Sequence, residues 1–115
     1  MRILFLVNHE VTLYYFRTEL LRALCERGDE VLLSMPRAEH AEFFENLGCR
    51  IIDTPITQYG TNPLKEAKLI SFYKKMLREY SPDIVLTYTI KPALYGGIAA
   101  ASRSVPYIST ITGLG

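Results

Sequence analysis

Five short apolar runs alternate with four longer amphipathic stretches, and that alternation limits what this chain can fold into. Ile3 to Val7 is continuously apolar and ends at polar Asn8, the pattern of a strand buried on both faces. Leu13, Phe16, Leu20 and Leu24 recur at three- and four-residue steps among Arg17, Glu19, Arg22, Glu26 and Arg27. That spacing predicts one amphipathic helix, capped by Thr12 and stopped by Gly28. Val31-Leu32-Leu33 predicts a second strand, closed by Pro36. Ala38 to Leu47 predicts a short helix with Phe43, Phe44 and Leu47 inward, stopped by Gly48, and Cys49 to Thr54 predicts a third strand. A loop from Pro55 leads to Asn62-Pro63, a helix start because Asn caps and Pro suits the first helical position. Leu69, Tyr73, Met76, Leu77 and Tyr80 form that helix's buried stripe, which ends before Pro82. Asp83 to Tyr88 is a fourth strand, Pro92 to about Arg103 a helix rich in small residues, and Pro106 to Thr110 a fifth strand.

Strands that alternate with helices in this way pair in parallel, with helices covering both faces of the sheet. The expectation is a Rossmann-like, three-layer αβα domain over residues 1–115, with five parallel strands in the order 3-2-1-4-5. A flavodoxin-like 2-1-3-4-5 order is the alternative. Hydrophobic residues at 49% and charged residues at 22% exclude disorder. A net charge of +1 excludes a strong global field for nucleic acid. No apolar run approaches the roughly 20 residues of a membrane span, and Met1 to Val7 is too short for a signal peptide. Cys25 and Cys49 make neither a disulfide scaffold nor a metal site, and read as reduced thiols of a cytoplasmic protein. Thr112-Gly113-Leu114-Gly115 comes directly after the fifth strand, where a helix is normally fed. The chain is therefore expected to be the first part of a longer protein, or a small subunit completed by a partner.

In this architecture ligands sit outside the carboxyl ends of the strands, at the point where the order reverses. The crevice is then lined by Asn8-His9-Glu10-Val11-Thr12 and by Thr89-Ile90-Lys91-Pro92, with Thr110-Ile111-Thr112-Gly113 beside the second. The first loop holds no glycine, and the second strand ends in Ser34-Met35-Pro36 rather than an acid, so the dinucleotide fingerprint is absent. A phosphate-binding P-loop and the clustered aspartates of a phosphoacceptor are absent as well. Lys91, at the opening of a helix, suits an anion, because free N–H groups and the positive dipole end face the crevice there. An ordinary solvated loop lysine is the competing reading. Gly96-Gly97 lets the helix lie close to the sheet or lets a ligand reach the backbone. His9 and Glu10 suit acid–base or hydrogen-bonding work, or simply bond the backbone, whereas His40 reads as exposed. Five basic residues, Lys65, Lys68, Lys74, Lys75 and Arg78, stand against Glu66 and Glu79 on the third helix. Its Leu64, Ile70, Phe72 and Tyr73 are interleaved, so it suits either an anionic bilayer surface or plain solvent.

Several segments resemble the N-terminal domain of GT-B glycosyltransferases, in the family-4-like group that builds capsular, O-antigen and related glycans. They are Asn8-His9 with Tyr15-Phe16-Arg17, Asp53-Thr54-Pro55-Ile56, Gly60-Thr61-Asn62-Pro63, Pro82 to Pro92, Tyr95-Gly96 and Thr112-Gly113-Leu114-Gly115. The resemblance implies two Rossmann-like domains around a cleft. The N-terminal domain mostly holds the acceptor, and a C-terminal domain, absent from this chain, mostly holds the sugar nucleotide. It implies transfer of a sugar from a nucleotide-sugar donor, of the UDP-sugar kind, to a glycan or polyprenyl-diphosphate-linked acceptor. No bound metal or other cofactor is implied, and the work is done in the cytoplasm or peripherally at the cytoplasmic membrane face. The isolated domain is expected to be inactive. Under this resemblance His9 and Glu10 are the candidate catalytic pair. Asn8, Gly60, Thr61, Thr89, Lys91, Thr112 and Gly113 are the candidate substrate contacts, with Tyr59 beside them and Arg17 supporting the first loop. The rival expectations are a non-catalytic, membrane-recruiting subunit of a split glycosyltransferase and half of a nucleotide-sugar epimerase.

Overall fold

Period-two alternation along the strands sends their side chains into two separate cores. The computed structural model describes residues 1–56 and 62–110. Its elements are β1 (Arg2–Leu6), α1 (Val11–Phe16), α2 (Thr18–Glu26), β2 (Glu30–Met35), α3 (Ala41–Leu47) and β3 (Arg50–Asp53), then α4 (Pro63–Tyr80), β4 (Ile84–Tyr88), α5 (Ile90–Ser102) and β5 (Tyr107–Thr110). The five strands are parallel, in the order β3-β2-β1-β4-β5. The first of the two topologies is therefore the one adopted. On one face Ile3, Phe5, Val31 and Leu33 pack with Leu13, Leu21 and Phe44 from α1, α2 and α3. On the other, Leu4, Leu6, Leu32 and Val85 pack with Leu69, Tyr73, Met76 and Leu77 of α4 and Ala99 of α5.

The start of α4 is set by two residues. Asn62 Oδ1 accepts hydrogen bonds from the N–H groups of Leu64 (3.0 Å) and Lys65 (3.4 Å), and Pro63 opens the helix without wasting a donor. Gly48 ends α3 at φ 105°, a left-handed conformation that favours glycine. A Cβ on Gly96 would collide with Leu6 Cδ1 and lie 3.3 Å from Thr87 Cγ2, and one on Gly97 would lie 3.2 Å from the Tyr107 ring. The two glycines thus serve close packing of α5 on the sheet.

The single helix expected from Leu13 to Leu24 is a correction. It is broken at Arg17 (φ −131°, ψ 10°) into α1 and α2. The Thr18 hydroxyl donates to the Tyr14 carbonyl at 2.6 Å, bonding back across the break. The break changes which residues face inward. Leu13 and Leu21 are fully buried, while Phe16 is 71% exposed and Leu20 38%. Glu10, not Thr12, occupies the position before α1, and no side chain caps that helix.

Cys25 and Cys49 are free thiols whose sulfurs lie 3.7 Å apart. Burial, reinforced by the neighbouring Cys25, pushes the Cys49 thiol up to about 12. Among the described residues no helix is long and apolar enough to cross a membrane.

Tyr73 is 1% exposed, its hydroxyl has no partner among the described residues, and burial raises its phenol above the usual range. A buried, unsatisfied hydroxyl carries a desolvation cost that its removal relieves. Tyr73→Phe is therefore expected to stabilise the fold by about 1 kcal/mol, which raises Tm by about 4 °C. A thermal melt followed by circular dichroism checks this, and a lowered Tm would show that the hydroxyl is satisfied.

Candidate functional site

The strand order places the ends of β1 and β4 side by side, with Leu6 opposite Thr87. The loop leaving β1 and the opening turn of α5 therefore meet at that edge. Asn8 is half-buried and His9 exposed. His9 Nδ1 accepts the Val11 N–H at 3.2 Å, which leaves Nε2 to carry the ring proton of the neutral form.

Glu10 has turned away from solvent and is 2% exposed. Its carboxylate accepts the His40 backbone N–H (3.1 and 3.2 Å) and contacts His40 Nδ1. The Tyr14 ring lies against the imidazole, with centroids 3.9 Å apart and planes tilted by 31°. The expected exposed His40 is thus a second correction. It precedes α3, half-buried, and ties the loop after β2 to the loop after β1. His9 and Glu10 are neighbours in sequence but serve different surroundings. Among the described residues Arg17 pairs with no acid. Its guanidinium stacks over the Tyr88 ring at 5.4 Å and donates to the Phe16 carbonyl at 3.0 Å.

On the β4 side, Thr89 has φ 73° and ψ 167°, a backbone region that β-branched residues rarely enter. Its N–H donates to the Thr110 carbonyl at 3.3 Å, and its carbonyl accepts the Ala93 N–H at 3.1 Å. Its hydroxyl is buried and has no partner among the described residues. Strain and an unused donor therefore coincide at the N-terminal, positive end of α5.

Lys91 is not a loop lysine but stands in the first turn of α5. It is 20% exposed and lies 3.8 Å from the Glu66 carboxylate of α4. Tyr95 also hydrogen-bonds Glu66, and that bond, aided by burial and the carboxylate charge, raises the Tyr95 phenol above its ordinary value. Beside Lys91 a groove of about 590 Å³ opens along α4.

Among the described residues one trio of ionisable side chains lies close enough to share an ion, Glu10, Glu39 and His40, with ligand atoms within 4.8 Å. Glu10 and His40 already face each other. The structure brings Asn8, His9, Thr89 and Lys91 to the ends of adjacent strands β1 and β4 and turns Glu10 inward. Tyr59, Gly60, Thr61, Thr112 and Gly113 lie outside the described residues. Sequence reasoning missed Glu66, Tyr95 and the Glu10–His40 contact. Glu10 and His40 come after adjacent parallel strands, and that placement was the available signal for their meeting.

The glycosyl transferase 4-like family model matches residues 2–115. N,N'-diacetylbacillosaminyl-diphospho-undecaprenol alpha-1,3-N-acetylgalactosaminyltransferase of Campylobacter jejuni is 29% identical over 116 residues, covering all of this chain. The chain spans 31% of that relative's length. Two solved structures share the fold. A glycosyltransferase from Rickettsia africae aligns with a TM-score of 0.76 at 14% identity, over 94% of this chain and 28% of its own. The UDP-GlcNAc 2-epimerase of Methanocaldococcus jannaschii aligns at 0.67 and 19% identity, over 99% of this chain and 32% of its own.

Proposed function

This chain belongs to the glycosyl transferase 4-like family, and from that premise we propose that it is the acceptor-side domain of a glycosyltransferase. The enzyme moves a sugar from a nucleotide-sugar donor, of the UDP-sugar kind, to a polyprenyl-diphosphate-linked acceptor. A separate donor-binding domain completes the cleft. The carrying observation is Thr89, whose strained backbone and hydroxyl, unpartnered among the described residues, stand at the head of α5 beside Lys91. Strain of this kind persists where the surrounding structure over-determines it, and it clusters at ligand sites. An anion there meets the helix dipole, the lysine charge and a hydroxyl donor together. The name of the Campylobacter relative, which carries a diphospho-undecaprenol, supports an acceptor with that kind of anion.

In this reading Lys91 and Thr89 hold a diphosphate oxygen, and Asn8 and His9, through Nε2–H, bond sugar hydroxyls across the crevice. Glu10 does not touch substrate. It is a positioning residue that fixes the first loop through His40. Gly60, Thr61, Thr112 and Gly113 complete the contacts. No metal or other cofactor is part of the chemistry, and the basic face of α4 rests against the cytoplasmic membrane surface.

The test joins this chain to its donor-binding domain and supplies UDP-N-acetylhexosamines with a prenyl-diphosphate-linked sugar. Radiolabel transferred to the lipid is the expected outcome, with none from this chain alone. Epimerised sugar nucleotide and no labelled lipid would replace the transferase reading with the epimerase one.

A further inference from the structure

At the end of the sheet away from β5, β3 is an outer strand of four residues, none of them fully buried. Among the described strands it pairs with β2 alone. The turn that feeds it is packed on the end of α2. Gly48 ends α3, and a Cβ placed on it would lie 3.5 Å from both Cβ and Sγ of Cys25. Cys25 stands in the last turn of α2 and is half-buried, while Cys49 follows Gly48 and is 5% exposed. Their sulfurs lie in contact at 3.7 Å, and these are the two cysteines of the chain. Cys49 precedes β3, so the pair lies at the amino ends of the parallel strands, opposite the crevice at their carboxyl ends.

The two sulfurs differ in access. A small reagent reaches Cys25, whereas Cys49 is withdrawn and its burial keeps the thiol protonated. A reachable thiol beside a second one that resolves it is the arrangement that reversible thiol oxidation needs. We propose that Cys25 and Cys49 are a reversible thiol–disulfide site whose oxidant is a small-molecule disulfide of the glutathione kind. Cys25 gives its proton to solvent, and its thiolate attacks one sulfur of the oxidant, whose S–S bond breaks and releases one thiolate. With Cys25 in that mixed bond, the neighbouring charge that reinforced the Cys49 thiol is gone. Cys49 then gives up its proton, its sulfur attacks Cys25, and the mixed S–S bond breaks to release the second thiolate. Two protein thiols are oxidised, and the oxidant is reduced to two thiols that take up the two protons. The new bond is about 2 Å long, an approach of roughly 1.7 Å from the present contact, which rotation of the two side chains supplies. It closes a loop that contains β2 and α3, and so pins the outer strand to α2. Crosslinks of this span stabilise by restricting the unfolded chain, and a reducing medium opens them again. The site is independent of the sugar-transfer reading.

The test incubates the full chain with oxidised glutathione and follows intact mass, peptide linkage and thermal melting. The expected product has lost two hydrogens, links Cys25 to Cys49 within one chain, and melts about 10 °C higher. Dithiothreitol is expected to restore both mass and Tm. Cys49→Ser is expected to stop at a glutathione adduct on Cys25, with no rise in Tm. Cys25 is the more exposed of the two, so Cys25→Ser keeps the test intact should Cys49→Ser fail to fold. It is expected to react at least about tenfold more slowly than the wild type and to form no crosslink. A wild-type chain that stays as the glutathione adduct, or that links one chain to another, would overturn the site. So would a crosslinked chain that melts no higher than the reduced one, since the native packing would then not accept the bond. A Cys25→Ser chain that reacts as fast as the wild type would overturn Cys25 as the point of entry.

Discussion

Lys91→Ala in the completed enzyme is expected to lower kcat/KM about 100-fold, in line with the loss of one preorganised donor to a developing or bound anion. That factor corresponds to about 2.7 kcal/mol of transition-state stabilisation. The reason is position. Lys91 is mostly withdrawn from solvent and sits at the positive end of α5, where a charge is less screened than on an open surface. Stability should hardly change, because Glu66 keeps its bond from Tyr95 and a partly exposed ion pair contributes about 0–1 kcal/mol. Lys91→Arg should recover part of the activity, since the charge returns with a different shape. Steady-state kinetics with a thermal melt of each variant decides the matter. Unchanged kcat/KM at an unchanged Tm would remove Lys91 from the site.

The second large effect is on stability. Glu10→Ala is expected to destabilise the fold by about 2–3 kcal/mol, because it strips a buried acceptor from the His40 N–H and removes the nearer, buried carboxylate from the imidazole, leaving only exposed Glu39 at 3.8 Å. For a domain of this size that corresponds to a fall in Tm of about 10 °C. Glu10→Gln keeps an acceptor oxygen of similar shape and should lose about half as much. His9→Ala, by contrast, removes an exposed ring and should leave Tm nearly unchanged. Melting curves of the three variants separate a loop-fixing carboxylate from a dispensable one. A Glu10→Ala protein that melts with the wild type would mean that His40 is held by its neighbours alone.

Local chemistry was legible in the sequence, and long-range pairing was not. Asn62-Pro63 specifies the start of α4 from within two residues, and the five apolar runs with parallel crossovers leave two orders, of which one is observed. The break at Arg17 was hidden because Leu13, Phe16, Leu20 and Leu24 satisfy a continuous helical period. What ends α1 is a backbone turn secured by the Thr18 hydroxyl. The fate of Glu10 depends on a residue 30 positions away, and that of Lys91 on Glu66 in another helix. Neither partner can be read from its own neighbourhood. Thr89 is the extreme case. Its left-handed backbone is one that glycine would have announced and that threonine conceals.

The separation of the two cores has a consequence for how such a domain can change. The Glu10–His40 tie lies among the elements of the α1–α3 face, and the groove belongs to the α4–α5 face, with one layer of strands between them. Sites that share no contacts respond to substitution almost independently. Drift in Ile56, Leu69 or Phe72 can therefore reshape the groove while the loop that carries His9 stays in register. Groove lining and loop anchoring lie here on opposite sides of a single sheet.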